Sequence, residues 1–263
     1  MLKDKSTSIV TIIRNRNNVL RKTIHNWLKF DIPEIIIVDF RDDSCESVWD
    51  IIKPLNDSRI KVIETKYEYR FILGVAANLG FTYTTFPYVL KLDVDYLLSD
   101  DFFIQNTIRE NEFVTGYWKD PTSGLLYTEK HWWNLCNGYN ENILYWGADD
   151  VDLYSRMRQQ KLVHKYVVKD TITHQEHAVT LSLIHQFQWL PSNILNDKVG
   201  NHYYMDKEQY DVSNVGVINL KNQVQWFTEH LLKLIPWTPD VLRIQWKLEE
   251  IEPNRYLAIR SFN

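Results

Sequence analysis

Much that marks a specialised protein class is missing from this chain. Only two cysteines, Cys45 and Cys136, occur among 263 residues. They cannot build a disulfide framework and do not form a close metal-binding pair, so a reducing compartment and small buried side chains are their plain reading. No apolar run approaches the roughly 18 residues of a spanning helix. The opening residues 1–7 run straight into a strand without the apolar core of a signal peptide. A cytoplasmic protein is expected, free or peripheral at the inner face of a membrane. Basic excess is also missing: a formal net charge of -4 argues against a general nucleic-acid binder, whose phosphate contacts call for a basic surface. Neither internal repeats nor low-complexity tracts interrupt the chain.

What is abundant is aromatic: 10 Trp, 15 Tyr and 11 Phe make up 14% of the residues. Aromatic faces stack on sugars and nucleobases, and they also fill cores, so the enrichment only leans toward a carbohydrate or nucleotide ligand. The length suits one large domain, alone or with an appendage. Buried-strand patterns at 8–13, 34–39, 59–64 and 88–92 alternate with helical patterns near 20–28, 44–55 and 74–83. That alternation predicts a mostly parallel α/β sheet with crossover helices, and ligands in such sheets sit beyond the carboxyl ends of the strands. The residues expected there are 14–17, 39–42 and 93–95. Beyond 95 the pattern reads as added antiparallel strands at 113–118 and 125–127, a helix over 129–136, a helix starting near Asp149 and a strand at 163–168. Past 181 the signal thins to an amphipathic helix near 224–234.

Two acidic groups stand out. The run Val89-Leu90-Lys91-Leu92-Asp93-Val94-Asp95 delivers two carboxylates to the end of an apolar strand. Ionised Asp oxygens suit Mg²⁺ or Mn²⁺ holding a diphosphate, although Asp-x-Asp arises by chance about once in such a chain and a solvated strand end is the plain alternative. The second group, Asp149, Asp150 and Asp152, opens a helix whose dipole favours negative charge. Asp152 is placed to pair with Arg156 one turn later.

The stretch 125–156 carries a helix, Asn137-Gly138-Tyr139-Asn140, then Tyr145-Trp146-Gly147-Ala148-Asp149-Asp150-Val151-Asp152-Leu153 followed by Arg156. With the earlier Asp-x-Asp and Thr173-His174-Gln175-Glu176, it resembles a GT-A-fold inverting glycosyltransferase, close to family 2 and to galactosyltransferase and chondroitin-polymerase catalytic domains. The resemblance spans about 7–180. It implies a GT-A (Rossmann-like) domain over 1–180, with a nucleotide-binding half 1–100 and an acceptor half 101–180, and a helical C-terminal extension over 181–263 packed on it. Packing is the default for that extension, a dimer contact or a membrane surface the alternatives.

Carried over by position, Arg14 and Asn15 would lie beside the nucleotide and Asp39 would contact the base, the plain alternative for Asp39 being a turn cap. Asn78 matches the Asn of an A-R-N-x-G helix whose Arg is Ala77 here, a role Arg70 would take over. Asp93 would face the ribose or a metal-bound water and Asp95 would bind Mn²⁺ or Mg²⁺ directly, with His174 as third ligand and His177 its competitor. Asp150 would be the base, Asp149 would bind acceptor hydroxyls, and Trp146 and Tyr145 would meet the sugar, with Trp118, Trp132 and Trp133 as weaker candidates. The implied reaction moves a hexose or derivative from a UDP-sugar to a glycan or lipid-linked saccharide, as in bacterial-type surface polysaccharide synthesis. Sugar-nucleotide pyrophosphorylases are disfavoured because 14–18 contains no glycine. A non-catalytic domain that binds a sugar nucleotide or glycan within a biosynthetic assembly is the remaining alternative.

Overall fold

The computed structural model describes residues 6–41, 45–66, 71–117, 122–143, 149–175 and 237–261. The first half follows the expected alternation: β1 (Thr7–Ile13), α1 (Asn17–Trp27), β2 (Glu34–Asp39), α2 (Val48–Ile52), β3 (Ile60–Thr65), α3 (Leu73–Thr82) and β4 (Tyr88–Asp93). Every residue of β2 is buried, because helices cover both faces of a parallel sheet and leave no solvated side for polar residues to occupy. One apolar layer joins the sheet to α1 and α2 through Leu20, Ile24, Trp27, Val48 and Ile51. The opposite layer joins it to α3 through Ala76, Ala77, Leu79 and Phe81.

The chain continues through β5 (Tyr96–Leu98), α4 (Phe102–Gln105), β6 (Glu112–Thr115), β7 (Leu126–Glu129), α5 (Lys130–Leu135), α6 (Asp149–Gln159), β8 (Val163–Tyr166) and β9 (Ile172–His174). It closes with β10 (Gln245–Glu252) and β11 (Arg255–Ser261). Nine strands form one sheet in the order β10-β11-β3-β2-β1-β4-β7-β6-β8. Strands β3, β2, β1 and β4 run parallel, while β7 is antiparallel to both β4 and β6. After β3 the chain returns to pair β4 with the free side of β1. That reversal opens a crevice between the carboxyl ends of β1 and β4, the place where such sheets take ligands.

The C-terminal residues 245–261 depart from the helical extension expected of 181–263. They form an antiparallel hairpin whose second strand pairs in parallel with β3, so these residues add two strands to the same sheet. Glu64 ties the hairpin down: it accepts from Arg255 Nε and Nη2 at 3.2 Å each and from Ser47 Oγ at 2.5 Å. The helix expected near 224–234 lies outside the described residues. Among the described residues no helix is long and apolar enough to cross a membrane.

A short second sheet was not foreseen. Strand β5 pairs antiparallel with β9, and the end of α1 completes the free side of β5. Trp27 Nε1 donates to the Tyr96 carbonyl at 2.9 Å, while Asn26 donates to the Leu98 carbonyl at 3.0 Å and accepts from the Leu98 amide at 2.8 Å. Trp27 is fully buried, so it serves both as core and as a bolt for β5. Trp27→Ala should lower unfolding free energy by roughly 3–5 kcal/mol, the range for deleting a buried aromatic. Trp27→Phe, which keeps the ring and strands the Tyr96 carbonyl, should cost about 1–3 kcal/mol. Urea unfolding of both variants checks the order.

Candidate active site

The crevice is built from the loops after β1 and β4. Asn15 adopts a left-handed φ of 54°, turning the chain from β1 into α1, and Arg14 lays its guanidinium 5.3 Å from the centre of the Phe71 ring. Arg16 reaches across the crevice to Asp95, its Nη1 lying 3.0 Å from Oδ2. His174 approaches the same carboxylate, Nε2 to Oδ2 at 3.3 Å. The second sheet sets this encounter: Tyr96 stands opposite His174 in the β5–β9 register, and the Gln175 amide donates to the Asp95 carbonyl at 2.7 Å.

Asp95 and His174 offer one carboxylate oxygen and one imidazole nitrogen side by side. A separation of 3.3 Å suits neighbouring donors on a single cation, since bonds of about 2.1 Å at right angles place donors about 3 Å apart. Mixed oxygen and nitrogen ligation is acceptable to Mn²⁺. Among the described residues no group of three or more His, Cys, Asp or Glu side chains is arranged to hold a metal. Asp95 and His174 are the residues here that could hold such an ion.

Asp93, expected to face the ribose or a metal-bound water, accepts hydrogen bonds from two neighbouring side chains. Its Oδ1 receives Lys91 Nζ at 3.1 Å and its Oδ2 receives the Tyr96 hydroxyl at 3.2 Å. Lys91 and Asp93 lie two residues apart on β4 and so share one face of the sheet. Lys91 is 1% exposed and also donates to the Gly124 carbonyl at 2.7 Å. A Cβ at Gly124 would come within 2.3 Å of Asp93 Oδ2, so only glycine lets the loop before β7 lie against this carboxylate. Burial works against the Lys91 charge, yet Asp93, Asp150 and Asp149 surround it and hold the ammonium well above its ordinary range. Burial likewise works against ionisation of Asp93, but Lys91 and then Arg16 keep that carboxyl below its usual value.

The acidic helix start supplies the opposite wall. Asp149 is 5% exposed, and both Asp149 Oδ2 and Asp150 Oδ1 are buried without a hydrogen-bond partner among the described residues. Burial pushes the Asp150 carboxyl up to about 8, an effect eased by Lys91 and increased by Asp149 and Asp93. The Asp149 carboxyl is raised by burial too. Asp152 pairs with Arg156 as expected, Oδ2 to Nη2 at 2.6 Å. Arg156 also donates to the Gly138 carbonyl at 2.9 Å, which joins α6 to the turn 137–140. Lys91, in the face of a strand, and Arg16, two residues beyond Arg14, are the site members that the motif reading passed over. A lysine inside an otherwise apolar strand was the available signal.

Three candidate residues make contacts within the protein itself. Asn78 is not open to a nucleotide: its side chain donates to the Tyr139 carbonyl at 2.8 Å and to Glu141 Oε1 at 2.9 Å, and accepts from the Tyr139 amide at 2.8 Å. It pins α3 to the turn. Asp39 is fully buried, its two oxygens accepting from the Arg41 amide at 3.1 Å and the Val48 amide at 3.0 Å. It caps the turn and the start of α2 rather than standing open to a base, and its burial lifts the carboxyl to about 7. Trp133 is core, fully buried with its ring 4.9 Å from that of Phe81. Trp132 is partly buried against the same core layer. Arg70, Trp118, Tyr145, Trp146 and His177 lie outside the described residues.

The profile of glycosyl transferase family 2 matches residues 8–166, and the chain belongs to that family. It is a glycosyltransferase with a mixed, mostly parallel sheet of the GT-A kind. The catalytic domain of Drosophila β1,4-galactosyltransferase 7, solved with xylobiose, superposes with a TM-score of 0.57 at 13% identity, covering 98% of this chain and 94% of that one. A mutant of that enzyme with manganese, UDP-Gal and xylobiose gives 0.54 at 13% identity, covering 98% and 95%. A mannosyltransferase from Pyrobaculum calidifontis with GDP-Man and Mn²⁺ gives 0.56 at 13% identity, covering 89% and 76%. No curated protein sequence matches significantly.

The raised carboxyls make stability depend on pH in a definite direction. Asp39 and Asp150 titrate near 7 and 8 in the folded protein, whereas an unfolded Asp titrates near about 4. Between those values the native state binds more protons than the unfolded chain, so their contribution to stability falls as pH rises from about 4 to about 8. Asp150→Asn should flatten that decline and leave the protein more stable than the parent at pH 8. Urea midpoints at pH 5, 6.5 and 8 test this, and parallel curves would refute the assignment.

Proposed function

We propose that this glycosyltransferase moves a hexose or hexose derivative from a UDP-sugar to a glycan hydroxyl, with inversion at the anomeric carbon, in bacterial-type surface polysaccharide synthesis. The observation that carries the reading is the division of the crevice into two walls joined by one cation. On one wall Asp95 and His174 lie 3.3 Å apart; on the other, Asp150 is a carboxyl lifted to about 8; Lys91 interacts electrostatically with Asp93, Asp149 and Asp150 between them. The galactosyltransferase and mannosyltransferase of similar fold hold manganese with their nucleotide sugars, which supports a metal-bound donor here.

In this reading Asp95 and His174 would hold Mn²⁺ or Mg²⁺, and Arg16, beside Asp95, would add positive charge next to the donor diphosphate. The metal, when bound, offsets the negative charge that develops on the leaving nucleoside diphosphate. Asp150, ionised, takes the proton from the acceptor hydroxyl as that oxygen attacks the anomeric carbon from the face opposite the diphosphate. A carboxyl near 8 retains enough basicity to accept that proton, and Lys91 keeps a useful fraction of it ionised. Asp149 is placed to orient acceptor hydroxyls. Trp146 and Tyr145, immediately before α6, are assigned to the sugar from their place in the motif.

The test is transfer and UDP release from a panel of sugar nucleotides with and without Mn²⁺. Asp150→Asn should lower kcat by about 10²–10⁴, the usual contribution of a general base, while calorimetry shows UDP binding with Mn²⁺ intact. Asp95→Ala or EDTA should remove UDP binding itself. Undiminished transfer by Asp150→Asn would sink the mechanism.

A further inference from the structure

Residues 237–244 lie outside the stretch that matches family 2, yet they close on the turn that leads to the acidic helix. Trp237 is 7% exposed and its Nε1 donates to the Asn137 carbonyl at 2.9 Å. Asn137 answers with its side-chain amide, donating to the carbonyls of Thr238 and Val241 at 2.9 Å each. The Ile244 amide donates to Glu141 Oε2 at 2.6 Å, and the Arg243 guanidinium lies 4.4 Å from the centre of the Trp133 ring. The gripped turn is conformationally demanding, with φ of 56° at Asn137 and 64° at Gly138. A Cβ at Gly138 would fall 2.5 Å from Asn78 Oδ1.

The inner side of the same turn faces the site. Tyr139 is fully buried and sits in the field of Lys91, Asp150 and Asp149. Glu141, 8% exposed, holds Asn78 with one oxygen and Ile244 with the other, so one carboxylate connects α3, the turn and the C-terminal segment. Arg156 of α6 donates to the Gly138 carbonyl. Asp95 and His174 are held by a different set of bonds, those of β5, β9 and α1.

We propose that residues 237–244 form a clasp that positions the acidic wall of the active site, with Asn137 and Glu141 as the positioning residues it grips. The proposal rests on the reading of Asp150 as the base. By fixing the turn, the clasp sets where α6 begins and hence where the Asp149 and Asp150 carboxyls stand relative to Lys91. A displacement of about 1 Å in a reacting group costs on the order of 10²-fold in rate. The clasp therefore governs turnover and leaves the donor wall alone.

Three variants test it. Asn137→Gly keeps the left-handed turn and deletes the side-chain donor; Trp237→Phe keeps the ring and deletes the N–H; Glu141→Gln leaves one oxygen acceptor for two donors, so that either Asn78 or the Ile244 amide meets an N–H in place of an oxygen. All three should lower kcat by at least tenfold with donor KM and UDP affinity in Mn²⁺ within twofold of the parent. Unchanged kcat in Asn137→Gly and Trp237→Phe would overturn the proposal, and so would a parallel loss of UDP binding, which would mark a general scaffold. Amide hydrogen exchange needs no activity and separates this idea from the reaction assignment. Asn137→Gly and Trp237→Phe should exchange faster over 138–143 and 149–153 and be unchanged over 93–98; equal protection over 138–143 and 149–153 overturns the clasp even if no sugar donor is ever turned over.

Discussion

A buried ammonium holds this site together. Lys91 stands in the middle of the sheet, 1% exposed, and its charge is the counterweight to Asp93, Asp149 and Asp150. Taking a lysine out of water costs several kcal/mol, and a cluster of carboxylates packed without it would cost more. Together they are tolerable, because each charge is stabilised by the others and by the Gly124 carbonyl. The same arrangement separates the carboxyls chemically. Asp93, in direct contact with the cation, stays ionised; Asp150 is lifted by burial to about 8. Groups of one chemical type thereby acquire different tasks by environment.

The rest of the fold serves to bring two walls to that cation. Reversal of the strand order between β1 and β4 opens the crevice, and the loop after β1 sends Arg16 across it. The wall that carries Asp95 is braced by the end of α1, which completes β5 so that β9 can carry His174 to Asp95. The acidic wall is braced by Asn78, Arg156 and the contacts of 237–244 around the turn at 137–141. Family 2 matching ends at residue 166, but the fold does not: the terminal hairpin supplies two more strands to the sheet.

The alternating half of the fold was legible because buried strands and amphipathic helices write their period directly into the chain. The Asp-x-Asp pair and the acidic helix start were legible as well, since each is a local motif. The β5–β9 pair was not, because three-residue strands carry too little pattern to separate from a loop. Asn78, Asp39 and Trp133 were placed near ligands by motif position, and the structure commits them to the protein itself. A motif records which residue type a position holds. It does not record whether that residue's hydrogen bonds are already spent.

The sequence by itself determined the parallel α/β layout, the two acidic groups and the family to which they belong, since all of these follow from neighbours along the chain. Only the tertiary structure decided that Lys91 is the common partner of carboxylates separated by nearly sixty residues, that Asp95 meets His174, and that residues 245–261 belong to the main sheet. Those facts depend on which buried charges and hydrogen-bond donors find one another across the fold. In a dry interior an unmatched charge is costly, and the match is made in space, where the linear order of residues has no say.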